Sequence, residues 1–195
     1  IVPEHDNIVS GDNVLISKGA LHYLNTEEVE NTNFKNENVI SLILGGPNKY
    51  YSFLFKDLEN IFMQLLKLKN ITKINVIGSR RTPPHLFEKL RSVFNDKKFN
   101  YDFSLQKINY TKSLSEASHI FITCDSTSMI SEAAITGKPI YTIKLKNIKN
   151  DYRFQRFFKL FQELGIIRFF DGSIDNWTYE KLYESKRISN NIIKK

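Results

Sequence analysis

Val39-Ile40-Ser41-Leu42-Ile43-Leu44 is a continuous apolar run of strand length, and Gly45-Gly46-Pro47-Asn48-Lys49 breaks it. From Tyr51 to about Leu68 the spacing changes. Phe53, Leu54, Leu58, Ile61, Phe62, Leu65 and Leu66 recur every three or four residues, which predicts an amphipathic helix. Lys73-Ile74-Asn75-Val76-Ile77-Gly78 is a second strand candidate, and it runs into Ser79-Arg80-Arg81-Thr82-Pro83-Pro84, whose prolines suit the opening of a helix through about Phe94. The alternation continues with a strand at Tyr101-Asp102-Phe103, a short helix from about Thr111 to Ala117, and a strand from His119 to Thr123. A polar turn and short helix follow from Asp125 and close with Gly137-Lys138-Pro139, then a strand from Pro139 to Leu145. A helix from Tyr152 to Leu164 keeps Phe154, Phe157, Phe158 and Phe161 on one side.

Strands alternating with helices through short connections predict an α/β fold: a Rossmann-like parallel sheet with helices on both faces. Right-handed crossovers put every strand-to-helix turn on the same edge. Gly45-Gly46, Ser79-Arg80-Arg81 and Asp125-Ser126-Thr127-Ser128 are therefore expected to converge on one rim. The chain before Val39 differs: Asn13 to Ser17 has strand character, while Thr26 to Asn38 is acidic and Asn-rich and reads as a linker. Ile1-Val2-Pro3-Glu4-His5-Asp6 looks like the end of a strand, so the chain reads as a fragment. The expected partition is 1–38 as the remnant of an amino-terminal domain plus linker, 39–180 as the Rossmann-like domain, and 181–195 as a carboxyl-terminal helix or tail.

Composition narrows the setting. With 195 residues, 41% hydrophobic and 25% charged, this is an ordinary globular chain large enough for one well-cored domain. No apolar run approaches the roughly 20 residues of a membrane span, and no secretory signal pattern opens the chain. The single Cys124 excludes an internal disulfide and suits a reducing, cytoplasmic setting. The net charge of +7 would attract polyanions. The lysines are nevertheless scattered, with no arginine-rich run or aromatic RNA-binding motif, so nucleic acid is not the expected partner; the Lys, Asn and Ile content also fits AT-rich coding.

The chemistry concentrates at the turns. Gly45-Gly46 leaves a strand without a Cβ, which permits close approach of a ligand or simply a tight turn. No Gly-x-Gly-x-x-Gly and no Walker lysine loop is present. Ser79-Arg80-Arg81 sets two guanidinium groups where an anion would lie, with Arg80 favoured as the one facing the cleft. Ser126, Thr127 and Ser128 could cap a helix or bind phosphate. Glu132 stands one turn further on, where it could accept hydrogen bonds from vicinal hydroxyls. No His, Cys or acidic cluster has metal-ligand spacing, so no metal is expected.

These motifs together resemble the mitochondrial fission "elongated mitochondria" family. The resemblance rests on His5-Asp6, Gly11-Asp12-Asn13-Val14-Leu15, Gly19-Ala20-Leu21-His22, Gly45-Gly46-Pro47-Asn48-Lys49 and Ser79-Arg80-Arg81-Thr82-Pro83. It continues through Asp125 to Ala133, Thr136-Gly137-Lys138-Pro139 and Arg153-Phe154-Gln155-Arg156-Phe157. The family looks like glycosyltransferases of the GT-B type, with the nucleotide-sugar donor held by the carboxyl-terminal domain. The resemblance implies that Glu132 holds the ribose. The turn Asp125-Ser126-Thr127-Ser128 and Gly45-Gly46 would meet the pyrophosphate, Arg80 would neutralise it with Ser79 as a further ligand-binding residue, and the backbone near Ile108 to Tyr110 would flank the base. The implied substrate is a nucleotide-diphosphate sugar with no cofactor, and the acceptor is a lipid or glycan at a membrane surface. The protein would be cytoplasmic, peripheral to the inner membrane, or at the outer mitochondrial membrane in a plant. A missing amino-terminal domain would pack on this one and carry the acceptor site, leaving this piece inactive alone and the catalytic base unassigned; His5 is the one candidate within the chain. The alternative is a non-catalytic adaptor that keeps the fold and recruits membrane-fission machinery.

Overall fold

The computed structural model describes residues 1–9, 11–24, 27, 29 and 38–193. Strands β1 (Val2–Pro3) and β2 (Ile16–Ser17) pair in parallel as a small separate ribbon. The main sheet contains β3 (Val39–Leu44), β4 (Lys73–Gly78), β5 (Phe99–Asp102), β6 (His119–Thr123), β7 (Ile140–Ile143) and β8 (Ile167–Phe169). All its pairings are parallel, in the order β5-β4-β3-β6-β7-β8. The chain therefore winds outward from β3 to β5, returns to the other side of β3, and winds outward again. This is the doubly wound Rossmann order, and its switch point lies between the carboxyl ends of β3 and β6, where such sheets open a crevice.

Every residue of β3, β6 and β7 is buried, as expected of central strands covered on both faces. The helices between the strands are α1 (Phe55–Lys67), α2 (Pro84–Val93), α3 (Lys107–Glu116), α4 (Thr127–Ala133) and α5 (Tyr152–Glu163), followed by α6 (Glu184–Ile193). Helix α1 buries Leu58, Phe62 and Leu65, and α5 buries Phe154, Phe157, Phe158 and Phe161. The Phe62 ring lies 4.9 and 5.0 Å from those of Phe94 and Phe99. Truncating so enclosed a ring costs about 3–5 kcal/mol.

Two half-buried lysines close helix ends. Lys98 Nζ donates to the Leu65 and Leu68 carbonyls at 3.2 and 2.8 Å, and Lys138 Nζ donates to those of Leu114 and Ser115 at 2.8 and 2.5 Å. Each adds a positively charged donor to carbonyls at the carboxyl end of α1 or α3 and complements that helix's negative end.

Several element boundaries differ from the periodicity, each for a local reason. Helix α1 starts at Phe55 rather than Tyr51 because Tyr51 forms an antiparallel bridge with Asn147 and gives its N–H to Asn48 Oδ1 at 2.9 Å. Helix α3 starts at Lys107, four residues before the expected Thr111. Leu105, at φ 59°, turns the chain, and the Gln106 carbonyl accepts the N–H groups of Asn109 and Tyr110 at 3.2 Å each. Strand β8, only three residues long, carries too short an apolar pattern to be foreseen. Most of the expected linker, 26, 28 and 30–37, lies outside the described residues, while Glu27 and Val29 are helical.

The amino-terminal segment is stitched to the Rossmann layers. Lys18 N–H donates to Glu184 Oε2 at 2.8 Å, and Arg187 reaches the Ile16 carbonyl at 2.6 Å. The Ala20 N–H donates to Ser131 Oγ in α4 at 3.0 Å, and His22 N–H to Ser185 Oγ in α6 at 3.1 Å. Arg153 of α5 pairs with Asp6, and Arg156 Nε donates to the His5 carbonyl at 2.8 Å.

Candidate functional site

Three strand ends meet at the switch point, as the right-handed crossovers require. The Gly45 N–H donates to Thr123 Oγ1 at 2.8 Å, joining β3 to β6. The Gly46 N–H donates to Asp125 Oδ2 at 3.0 Å. Arg81 closes the triangle from the end of β4: Nη2 donates to the same Asp125 oxygen at 2.6 Å and Nη1 to the Gly46 carbonyl at 3.1 Å. Asn48 Nδ2 donates to the Asp125 carbonyl at 3.1 Å, and Thr82 Oγ1 to those of Leu44 and Gly45 at 2.8 and 2.6 Å. A Cβ on Gly45 would overlap the Asp125 carboxylate, and one on Gly46 would overlap the Arg81 carbonyl. The two glycines thus admit the protein's own groups, and their N–H donors are engaged within the protein.

Above this brace lies a cavity of about 630 Å³. Ile43, Ile77, Gly78, Ser79, Arg80 and Arg81 line it from the ends of β3 and β4. Asp102, Ser104 to Lys107, Asn109 and Tyr110 line it from the β5–α3 turn and the first turn of α3. Ser126, Ser128, Met129 and Glu132 come from α4, and Tyr23 and Leu24 from the amino-terminal segment. Its volume suits a small organic ligand of nucleotide size.

The expected site residues divide between these two layers. Ser79, Arg80, Tyr110, Ser126, Ser128 and Glu132 face the cavity, whereas Gly45, Gly46 and Asp125 form the brace beneath it and Thr127 is turned aside. Arg80 is exposed and has no hydrogen-bond or ion-pair partner among the described residues; its neighbour Arg81 is held by Asp125. Ser126 caps α4, its Oγ accepting the Met129 N–H at 3.5 Å. His5 lies outside the cavity in the 3-10 turn Glu4–Asp6, 3% exposed and edge-on to Phe157 at 5.1 Å. Neither of its ring nitrogens has a hydrogen-bond partner, and burial lowers its pKa.

The cavity walls carry mixed charge. The Tyr110 hydroxyl donates to Glu132 Oε2 at 2.9 Å. Burial raises the Glu132 pKa against the opposing pull of that bond, and burial followed by the Glu132 charge pushes the Tyr110 phenol well above its ordinary value. Burial would also raise Asp102, but hydrogen bonds from Ser104 and Asn109 outweigh it and hold the carboxyl below its usual range. Among the described residues no group of three or more His, Cys, Asp or Glu could hold a metal ion, and no helix is long and apolar enough to cross a membrane.

Sequence reasoning missed much of the far wall. The Asp102 Oδ1 bond from the Ser104 N–H, at 2.7 Å, is an Asx turn whose Asp-x-Ser spacing was available as a signal. Tyr23 and Leu24 left no such signal, because only tertiary packing brings them across the cleft; the Lys107 ammonium lies 5.2 Å over the Tyr23 ring.

Fold and site together define a Rossmann-like α/β protein whose cleft opens at the carboxyl-edge switch point. The family model described as mitochondrial fission ELM1 matches residues 1–195, and the chain belongs to that family. An uncharacterized protein from Rickettsia prowazekii, RP120, is 32% identical over 158 residues, covering 76% of this chain and 44% of that protein. The mitochondrial fission protein ELM1 of Arabidopsis thaliana is 25% identical over 196 residues, covering 93% of this chain and 45% of its own. The chain thus spans under half the length of both relatives. Among solved structures, Acinetobacter baumannii MurG aligns with 86% of this chain and 44% of its own at 15% identity and a TM-score of 0.49, a likeness too distant to carry function.

Proposed function

We propose that this domain binds a nucleotide-diphosphate sugar at its carboxyl-edge cleft, as the donor-binding half of a glycosyltransferase-like protein of the GT-B type. The observation that carries the reading is one cavity holding both Arg80, an unpaired guanidinium, and Glu132, a half-buried carboxylate bonded through one oxygen to Tyr110. Glu132 suits hydroxyl donors of a ribose. Arg80, with the Ser79, Ser126 and Ser128 hydroxyls, suits a diphosphate.

Glycosyl transfer leaves negative charge on the departing diphosphate, and a positioned guanidinium stabilises that charge without a metal. A base near the acceptor hydroxyl is also required. His5 is closed off by Phe157 and has no opening to this cavity, so the base and acceptor site are assigned to an amino-terminal domain facing the same rim. The enzyme would work in the cytoplasm, against a lipid or glycan acceptor at a membrane surface. A second reading, an adaptor that keeps the fold and recruits fission machinery, is favoured by the name of the Arabidopsis relative.

Calorimetric titration of the full-length protein with UDP, GDP, ADP and their sugar conjugates separates the two readings. Binding with a micromolar to millimolar constant supports the donor site; no binding of any of them up to about 1 mM favours the adaptor. Glu132→Ala is expected to weaken the nucleoside diphosphate while sparing inorganic pyrophosphate, and Arg80→Ala to weaken both. Equal loss of both ligands in Glu132→Ala would reject the ribose role.

A further inference from the structure

Glu132 sits in the cavity wall, half-buried, and Tyr110 is its single hydrogen-bond partner among the described residues. A carboxylate offers about four acceptor positions, so most of that capacity faces the cavity unused. Burial raises the Glu132 pKa and the Tyr110 bond only opposes it, so the protein compensates this charge in part. The position therefore keeps acceptor capacity for donors that arrive with a ligand.

Tyr110 decides how that capacity is presented. It projects from α3 and Glu132 from α4, so the bond at 2.9 Å ties together two separate elements that line the cavity. The phenol remains a hydroxyl donor at all ordinary pH, since burial and the neighbouring carboxylate both oppose its ionisation. Its donation fixes the rotation of the carboxylate about its last bond, a torsion that is otherwise broad. With Oε2 anchored, Oε1 and the remaining lone pair of Oε2 are left as acceptors in a residue that lines the cavity.

We infer that Tyr110 is a positioning residue for Glu132, and that the pair makes the cavity selective for ligands with a vicinal diol, hence for ribonucleotides over 2′-deoxyribonucleotides. This inference rests on the donor-site reading above and adds to it the residue that enforces the sugar preference. A 2′-deoxyribose lacks one of the two donors and leaves an acceptor of a desolvated carboxylate unpaired. That discrimination corresponds to roughly 10- to 100-fold in affinity.

The test is titration of the full-length protein with UDP, GDP and ADP, each beside its 2′-deoxy counterpart, and with inorganic pyrophosphate. In the wild type, whichever diphosphate binds should do so roughly 10- to 100-fold more tightly as the ribonucleotide. Tyr110→Phe keeps the ring and its packing; it should shrink that ratio several-fold and leave pyrophosphate affinity unchanged. Glu132→Gln should shrink it similarly, and the double variant should be no worse than the more affected single one, as expected for residues acting as a unit. Failure of every nucleotide to bind the wild type would overturn the donor-site reading and this inference together. Nucleotide binding without a ribose preference, or a preference that Tyr110→Phe leaves intact, would overturn this inference alone. So would an equal loss of ribonucleotide, deoxynucleotide and pyrophosphate in Tyr110→Phe, the signature of a merely structural role.

Discussion

Arg81 and Asp125 stand 44 residues apart in sequence and are joined by a hydrogen bond of 2.6 Å from Nη2 to Oδ2, the carboxylate fully buried and the guanidinium partly open to solvent. The same carboxylate oxygen accepts the Gly46 N–H. One ion pair therefore fixes the ends of β3, β4 and β6, and it leaves Arg80, the adjacent residue, with no hydrogen-bond or ion-pair partner among the described residues.

The two arginines should consequently separate in mutagenesis. Arg81→Ala leaves the buried Asp125 carboxylate with only the Gly46 N–H and is expected to lower unfolding free energy by about 1–3 kcal/mol, below the figure for a fully buried pair because Arg81 is partly solvated. Arg80→Ala should stay within about 0.5 kcal/mol of wild type. Urea denaturation of both variants checks the contrast; comparable losses would mean that the roles are assigned the wrong way round.

Gly46→Ala puts a methyl group into the Arg81 carbonyl, which is backbone and cannot swing away. We expect a loss of about 2–3 kcal/mol from this overpacking. Gly11 has no atom within 4 Å of an added Cβ, so Gly11→Ala serves as the control and should be near neutral. Similar melting temperatures for the two variants would remove the brace as the reason for glycine at position 46.

Lys138 offers a test by pH. Burial lowers its pKa to about 8 in the fold, while in the unfolded chain the amine keeps its ordinary value near 10.5. Between those two values the unfolded state binds more protons, so this group makes stability rise with pH across the window. Its contribution is fully present above the unfolded pKa and is lost as pH falls through about 8. The slope is at most about 1.4 kcal/mol per pH unit. Tyr51, Tyr101 and Tyr179 act oppositely above pH 10, because burial raises their phenols. The Cys124 thiol acts oppositely from about pH 9, since burial raises it to about 12 in the fold, so the clean interval is about pH 8 to 9, and Lys138→Met should flatten the rise measured there by chemical denaturation.

The β-run/helix-run alternation from Val39 to Leu164 was sufficient to specify a parallel α/β sheet, because buried central strands read as unbroken apolar runs and their covering helices read at period 3.6. Crossover handedness then puts Gly45-Gly46, Ser79-Arg80-Arg81 and Asp125 to Ser128 on one rim. Local chemistry also marked Ser126, Thr127 and Ser128 as cap or phosphate groups and Glu132 as a carboxylate one turn into the helix; packing made Ser126 the cap.

Three-dimensional packing decided which of those residues support the site and which face it. A glycine that admits a ligand and a glycine that admits the Asp125 carboxylate have the same sequence signature, since both need only the missing Cβ. Two adjacent arginines are likewise equivalent until a buried carboxylate from another strand claims one of them. Tyr110, Asp102 and Tyr23 line one cavity with Glu132 and Arg80 only because α3, β5 and the amino-terminal segment fold against the same edge. Such contacts are set by where whole elements pack and not by the spacing of residues along any one of them, which is why periodicity could find the rim but not the wall opposite it.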